Sequence, residues 1–396
     1  MWQQLRCIIS ERDQEMDGAQ NGNEYLKALK EQHDKDRPNF DDYLSFLEKK
    51  ARETGTPLSG QFELTPLCNF GCKMCYVHLE KEQLRGRSIL STEQWKEIMH
   101  QAVEAGMLFA TLTGGECLTY PGFKELYLFL QGQGCQVSVM TNGFLLDEKQ
   151  ILFFADHRPY EIQITLYGGN NETYERVTGK RAFKTVMDHA KLALKAQLPL
   201  TIALTPNSYE GKGCLDTVRA ACDICGNIRI NTNLFQPREE TCRAGLQEDL
   251  ETDLYIQAFK LLETLNGRNV NAISAEKLPE PGGPYNECER CGVDCGAGRS
   301  CFSMTWQGKM IPCNQLDMIE SDPFHFGFRE AWVRINDQVS RLPRVQMCES
   351  CPYKPSCFAC AGDLLPFALS GKKPDQLCQR TVAFVREGIW HLTDCE

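Results

Sequence analysis

The chain has 396 residues, of which 42% are hydrophobic and 24% are charged, and its formal net charge is -10. This composition is typical of a soluble globular protein with about two or three domains. The negative charge argues against sequence-independent binding to the phosphates of nucleic acids, so we expect no nucleic acid partner. The first residues lack a signal pattern and no apolar run is long enough to span a bilayer, so we expect a cytoplasmic protein without a membrane partner.

Cysteine is over-represented, with 21 residues of this type. A chain of this size folds without disulfide bonds, and a reducing cytosol would not maintain them. The count is odd and the cysteines are unevenly clustered, which fits a disulfide framework poorly. We therefore expect metal or redox chemistry.

Residues 1–58 are interpreted as a helical N-terminal extension. The stretches from Tyr25 to Lys35 and from Phe40 to Ala51 have helical character, and Pro38 and Pro57 interrupt the pattern.

Residues 59–272 alternate between β-branched apolar runs and amphipathic stretches, which predicts a parallel α/β sheet with right-handed crossovers. The fold class is therefore α/β, a partial (β/α)6 TIM-like barrel, whose chemistry would lie at the carboxyl ends of the strands. Six strands are predicted: Phe62 to Pro66, Leu108 to Thr113, Gln136 to Thr141, Glu161 to Tyr167, Leu200 to Pro206 and Ile228 to Leu234.

The clearest predicted helix runs from Thr92 to Ala105. Ser91 and Gln94 have the spacing of a capping box, and Gly106 follows the end of the helix. Its buried face is predicted to consist of Trp95, Ile98, Met99 and Ala102.

Residues 273–396 follow the last predicted barrel helix, Asp253 to Leu265, and are interpreted as a cysteine-rich C-terminal domain. Regular elements are expected to be scarce in residues 279–313 and 347–378, where Gly, Pro and Cys dominate. Such a segment buries little core per residue, so its fold is expected to depend on what the cysteines bind.

A Cys-x3-Cys-x2-Cys motif follows the first predicted strand and consists of Cys68, Cys72 and Cys75. A 4Fe-4S cluster normally takes four thiolates, so a site with three leaves one iron open to another ligand. The alternative is a zinc site, although a structural zinc site would be expected to close its fourth position.

This motif, with Met74 before its third cysteine, resembles the signature of the radical S-adenosylmethionine (SAM) superfamily. The resemblance implies that the open iron binds SAM and that reductive cleavage of SAM releases a 5'-deoxyadenosyl radical. The second strand ends in Gly114, Gly115 and Glu116, similar to the Gly-Gly-Glu element that meets the SAM amino group in that family.

Further SAM contacts are implied at the ends of the other strands. Thr165 is a candidate ribose contact and Arg176 a candidate for the SAM carboxylate, with Arg181 close by in sequence. The candidate cofactor-binding residues are Met74, Tyr76, Gly114, Gly115, Glu116, Asn142, Thr165 and Arg176.

Eight cysteines of the C-terminal domain resemble the SPASM extension of this superfamily, which carries two auxiliary 4Fe-4S clusters. The spacing between Cys357 and Cys360 is two residues where three are more usual, and a zinc ribbon is the alternative. The resemblance implies two ligand sets: Cys295, Cys301, Cys313 and Cys360 for the first cluster, and Cys348, Cys351, Cys357 and Cys378 for the second.

Two other Cys-x2-Cys pairs have no assigned role. These are Cys222 with Cys225 and Cys288 with Cys291, of which the second pair is an alternative source of an auxiliary ligand or a substrate contact. Isolated cysteines such as Cys117 are expected to pack as small hydrophobic residues.

The resemblance implies an enzyme with three 4Fe-4S clusters and SAM that oxidatively modifies a peptide or protein, for example through a thioether or another cross-link. Dehydrogenation of a small-molecule or sugar alcohol is the alternative. The implied partners are an external electron donor of the flavodoxin or ferredoxin type and, since residues 1–58 show no alternating strands, a separate leader-binding protein.

Overall fold

The structure is a computed structural model that describes residues 40–232, 238, 251–268, 270, 272, 278–282, 292–357 and 359–390. Elements up to the sixth strand are α1 Phe40–Thr54, β1 Ser59–Glu63, α2 Thr92–Glu104, β2 Phe109–Thr113, α3 Phe123–Gly132, β3 Gln136–Thr141, α4 Glu148–Asp156, β4 Glu161–Leu166, α5 Asn171–Thr178, α6 Phe183–Lys195, β5 Leu200–Leu204, α7 Cys214–Cys222 and β6 Ile228–Ile230. The later elements are α8 Thr252–Leu265, β7 Cys301–Met304, β8 Met310–Ile311, α9 Pro323–Phe326, α10 Phe328–Ser340, α11 Ala361–Ser370 and α12 Asp375–Arg386.

One mostly parallel sheet organises the chain, with the strand order β6-β5-β4-β3-β2-β1-β7-β8. Strands β1 to β6 pair in parallel with their sequence neighbours, as alternating strands and crossover helices require. In the described part of the chain β6 and β8 are the two edges, so the sheet is open. This confirms the predicted α/β fold with a partial barrel.

The core lies between the sheet and the crossover helices. Alternate residues of the strands point into it, for example Phe62, Leu112 and Val139, which are all fully buried. Phe62 contacts the ring of Trp95 from α2 at a centroid distance of 6.1 Å, and Trp95 is also fully buried. Because the apolar side chains of each strand are buried at this interface, the residues between them point to the other face of the sheet.

The helix predicted from Thr92 to Ala105 is confirmed as α2. The amide of Gln94 donates to the Ser91 hydroxyl at 3.2 Å, and the amide of Ser91 donates to the Gln94 side chain at 2.9 Å. The predicted inner face is confirmed, because these four side chains are fully buried: Trp95, Ile98, Met99 and Ala102.

The predicted barrel strands are confirmed with shifted ends. The first strand covers Ser59–Glu63 instead of Phe62 to Pro66, because its ladder with β2 pairs Glu63 with Thr113 and ends there. The sixth covers Ile228–Ile230, while the end predicted for it lies outside the described residues. The predicted helix Tyr25 to Lys35 also lies outside them.

Strands β7 and β8 were not predicted, since they fall in the cysteine-rich segment. β7 pairs in parallel with β1, and β8 pairs antiparallel with β7. Phe302 and Met304 of β7 are buried, so the strand is stabilised by packing against elements far away in sequence. The segments predicted as barrel and C-terminal domain therefore contribute strands to the same sheet.

No helix in the part of the chain that the structure describes is both long and apolar enough to cross a membrane.

Candidate functional site

The three cysteines of the motif lie together at the carboxyl edge of the sheet. Cys68, Cys72 and Cys75 line a cavity of about 620 Å³, and the first cysteine follows the end of β1 by only a few residues. We refer to residues 68–75 as the three-cysteine loop. A cavity of this volume falls within the range of about 300–1,000 Å³ that is usual for small-molecule sites.

Backbone hydrogen bonds hold this loop against the end of α5. The amide of Gly71 donates to the Thr178 carbonyl at 2.9 Å, and the amide of Lys73 donates to the Val177 carbonyl at 3.0 Å. The loop geometry is therefore imposed by neighbouring elements of the barrel.

Three N–H groups also point at the sulfur atoms. The amide of Phe70 lies 3.4 Å from Cys68 Sγ, and the amide of His78 lies 3.2 Å from Cys75 Sγ. The side-chain amide of Asn142 lies 3.6 Å from Cys68 Sγ and donates at 2.7 Å to the Asn69 side chain. Hydrogen bonds of this kind orient metal ligands and adjust the potential of a cluster.

Burial raises the pKa of Cys68 to about 12, with further contributions from the charges of Glu116 and Cys75. The pKa of Cys72 is raised well above its usual range by burial, and then by the charges of Cys75 and Cys68. Burial and mutual repulsion disfavour neighbouring thiolates here unless a positive centre stabilises them, as iron would. The donor set therefore fits an iron–sulfur cluster with three protein ligands.

The Gly-Gly turn after β2 packs directly on the segment that leads into the three-cysteine loop. A Cβ on Gly114 would lie 2.5 Å from the Thr65 carbonyl oxygen, and a Cβ on Gly115 would lie 2.4 Å from that of Leu67. The amide of Gly115 also donates to Thr65 at 2.7 Å. Both glycines line the cavity. A side chain at either position would collide with the backbone of Thr65 or Leu67, so glycine is required at both.

Glu116 is buried and is not among the residues that line the cavity. Its carboxylate accepts hydrogen bonds from the Thr141 hydroxyl at 2.9 Å, from the Asn142 amide at 2.8 Å and from the Leu118 amide at 3.1 Å. Burial raises its pKa, while these hydrogen bonds oppose the rise. Glu116 thus connects the end of β2 to the end of β3, and its contact with the SAM amino group stays a prediction.

The strands contribute polar side chains to the cavity wall. Thr165 lies there as expected, together with Gln61, Gln163 and Thr113. Thr165, Gln61 and Gln163 alternate with buried residues along their strands. Because side chains of a strand alternate between its two faces, this pattern predicts that all three point to the same side of the sheet. Gln61 and Gln163 were missed because only strand ends were considered.

The wall opposite the strands comes from the second half of the chain. Phe259 of α8, Asn314 and Trp390 line it, and the Asn314 side chain donates to the Tyr76 hydroxyl at 2.8 Å. Asn314 follows Cys313 directly, which is a sequence signal for its position. Phe259 and Trp390 carry no such signal.

Met74, Tyr76 and Asn142 also lie in the cavity wall, as predicted. Arg176 does not. Its guanidinium donates to the Tyr209 carbonyl at 2.8 Å and to the Thr173 hydroxyl at 3.3 Å. Its expected contact with the SAM carboxylate therefore stays a prediction.

The cysteines of the first auxiliary set approach one another. Burial raises the pKa of Cys313 to about 11, and the charges of Cys360 and Cys295 add to this effect. The fourth member, Cys301, starts β7, and its Sγ lies 3.3 Å from the position of a Cβ on Gly296, next to Cys295. This set therefore lies around the start of β7, the strand that pairs with β1.

The second auxiliary set is assembled from α12, which carries Cys378, and from the segment of residues 348–357. Burial raises the pKa of Cys348 to about 12, followed by the charges of Cys378, Cys351 and Cys357. The pKa of Cys378 is also raised by burial and by Cys351 and Cys357. The assignment of the two ligand sets to two clusters stays a prediction.

The described cysteines are thiols and not disulfides. In the same residues, no three His, Cys, Asp or Glu side chains converge as ligands of a single metal ion would. Cys117, Cys135 and Cys214 are buried, as expected for cysteines that pack as hydrophobic residues. Cys222 and Cys225 are half-buried, and Cys288 and Cys291 lie outside the described residues.

Comparison with known proteins decides the family. The model of the Radical SAM superfamily matches residues 62–210. The PqqA peptide cyclase of Rhizobium meliloti is 30% identical over 282 residues, which cover 68% of this chain and 70% of that protein. The chain belongs to the radical SAM superfamily.

A second relative of this radical SAM protein is the sporulation killing factor maturation protein SkfB of Bacillus subtilis. It is 30% identical over 264 residues, which cover 66% of this chain. The match spans 61% of the length of SkfB, less than two thirds of that protein.

Crystal structures of SuiB from Streptococcus suis share the fold. The structure bound to S-adenosylmethionine has a TM-score of 0.62 at 15% identity and covers 91% of this chain and 88% of SuiB. The structure bound to the precursor peptide SuiA has a TM-score of 0.60 at 15% identity, with coverages of 87% and 82%.

As a radical SAM enzyme, the protein uses SAM and an iron–sulfur cluster, which supply a carbon-centred radical for hydrogen abstraction. The three-cysteine loop and the glycine turn described above are where we predict that these two groups bind.

Proposed function

We propose that this radical SAM enzyme oxidatively modifies a peptide or protein substrate, forming a thioether or another cross-link. The observation that carries the proposal is the extent of the cavity. It is lined both by the three-cysteine loop and by Asn314 and Trp390, which belong to the cysteine-rich segment. The substrate carbon would thus lie between the radical source and a second redox-active region. SkfB, PqqA peptide cyclase and SuiB supply the peptide as substrate class.

Each part of the cavity has a separate task in this proposal. Cys68, Cys72 and Cys75 hold the cluster, and the Gly114–Gly115 turn and Tyr76 border the space for SAM. Thr165 and Asn142 are the polar groups that orient it. Phe259 and Trp390 form an apolar part of the cavity wall that excludes water, which protects a radical from side reactions.

We further propose that the two other cysteine sets hold auxiliary 4Fe-4S clusters in a SPASM domain. Removal of one hydrogen atom leaves a substrate radical, which must lose one electron and one proton to form a closed-shell product. The position of Asn314 in the cavity wall, next to Cys313 of the first set, supports an electron acceptor beside the cavity. Three clusters correspond to about twelve irons per chain.

An external one-electron donor and a separate leader-binding protein complete the proposed partners. The donor is required because SAM cleavage is reductive. The leader-binding protein remains an expectation from residues 1–58.

Two anaerobic experiments test the function. Incubation with dithionite and SAM should release 5'-deoxyadenosine from wild type. Co-expression with each short reading frame encoded nearby, followed by mass spectrometry, should yield a peptide that has lost two hydrogens.

Unmodified peptide in every pairing, together with turnover of a sugar or another alcohol, would replace the peptide by the small-molecule alternative. Stoichiometric zinc, or about four irons per chain after reconstitution, would contradict the auxiliary clusters.

A further inference from the structure

Two lysines lie at the three-cysteine loop, of which Lys73 is exposed and Lys180 is half-buried. Lys73 lies within the loop, with its ammonium 5.2 Å from the centroid of the Tyr209 ring. Lys180 lies 3.5 Å from the Asn69 carbonyl oxygen and 4.0 Å from the centroid of the Phe144 ring. These contacts hold two positive charges directly over the loop.

Two more cations adjoin them. The Arg176 guanidinium donates to the carbonyl of Tyr209, the residue beneath Lys73. The turn that carries Lys212 is adjacent, because a Cβ on Gly213 would lie 3.7 Å from Arg176 Nη2. We define the loop-side basic patch as Lys73, Arg176, Lys180 and Lys212.

Nearby acidic side chains are already paired with other arginines. Glu172 and Glu175 of α5 bind Arg181 at 2.7 and 3.0 Å. Asp216 of α7 binds Arg219 at 2.8 Å. These pairs leave the exposed acids of both helices neutralised.

Among the described residues, no carboxylate forms an ion pair with a member of the loop-side basic patch. The carboxyl of Glu210 is buried and accepts a hydrogen bond from Thr217. Burial raises its pKa, and the charge of Arg176 opposes this rise. The three lysines therefore supply the net positive charge. The patch is opposite in sign to the chain as a whole, whose net charge is -10.

We propose that the loop-side basic patch docks an acidic one-electron carrier protein that reduces the cluster of the three-cysteine loop. The proposal rests on the proposed function, which requires one electron per SAM cleaved. The carrier loses one electron and the cluster gains it, with no bond formed or broken. Complementary charge accelerates such encounters and aligns the partners, and interfaces between redox proteins are small and transient.

The test compares two charge-reversal variants in reconstituted enzyme. Lys180→Glu/Lys212→Glu changes the patch at two positions outside the three-cysteine loop. Lys191→Glu/Lys195→Glu is the matched control, since these exposed lysines lie on α6, whose last turn leads to the amino end of β5 and thus to the opposite edge of the sheet. Cluster reduction is followed by loss of visible absorbance after mixing with a reduced acidic flavodoxin or with dithionite.

We expect the patch variant to be reduced by flavodoxin at least about tenfold more slowly than the control at low salt, with the difference shrinking as salt increases. Reduction by dithionite should stay within about twofold of wild type for both variants. Lys180→Arg should retain the wild-type rate. Lys212→Glu alone should also slow reduction by flavodoxin, which would show that the effect comes from charge and not from a change at the loop.

Equal flavodoxin rates for patch and control variants would refute the docking surface. Weaker binding of a modified peptide with an unchanged flavodoxin rate would also refute it, and would assign the patch to an acidic part of the substrate. Failure of dithionite to support SAM cleavage in wild type would instead refute the proposed function.

Discussion

The three-cysteine loop and the C-terminal cysteine sets are positioned by different means. The loop is held by backbone hydrogen bonds to α5 and by the close packing of the Gly114–Gly115 turn. The auxiliary sets lie on loops and short helices, with Cys295 exposed and Cys348 half-buried. Iron is therefore expected to occupy a formed site in the barrel, whereas it should stabilise the fold of the C-terminal segment itself.

The largest effect is expected from removing the three-cysteine loop's ligands, which should abolish activity and leave the fold intact. The triple variant Cys68→Ala/Cys72→Ala/Cys75→Ala should lose all SAM cleavage and about four irons per chain, because it lacks every protein ligand of that cluster. Its melting temperature should stay close to that of wild type. A large loss of thermal stability would show that the loop also depends on its cluster.

The reverse result is expected for the second auxiliary set. Cys348→Ala should reduce protection from hydrogen exchange across residues 346–386 while β1 to β5 stay protected, since the segment has little core of its own. Cys225→Ala is the matched control, because Cys225 belongs to neither set. Uniform protection in both variants would contradict a fold that depends on the cluster.

Gly115→Ala tests the close packing that positions the loop. The new methyl group would meet the backbone of Leu67, so we expect the free energy of unfolding to fall by about 3 kcal/mol in chemical denaturation. Gly132→Ala is the control, since nothing lies within 4 Å of its Cβ position at the end of α3. That variant should be neutral or slightly more stable.

A smaller effect is expected from the hydrogen bonds behind the loop. Glu116→Gln replaces one carboxylate oxygen by a donor that faces the N–H groups of Leu118 or Asn142, which should weaken SAM binding about tenfold in equilibrium titration. Glu125→Gln, on the surface of α3, should bind SAM like wild type. Wild-type binding by Glu116→Gln would remove any role for this carboxylate in arranging the site.

Much of the barrel was predictable because its helices and strands are encoded by patterns of residues close together in the sequence. The α2 capping box involves residues three apart, and the buried face of that helix follows from side-chain periodicity. The three-cysteine loop was predictable for the same reason. The directions of Glu116 and Arg176 were not, since each depends on partners from other elements.

The sequence by itself determined the order of strands and helices and the position of the three-cysteine loop, because each is encoded by spacing over a few residues. The grouping of the C-terminal cysteines follows from the resemblance to the SPASM extension and stays a prediction. Only the tertiary structure decided that β7 joins β1, that Asn314 and Trp390 complete the cavity, and that the lysines gather around the loop. These features join residues far apart in the chain. Their pairing depends on how the whole core packs, which no local pattern encodes.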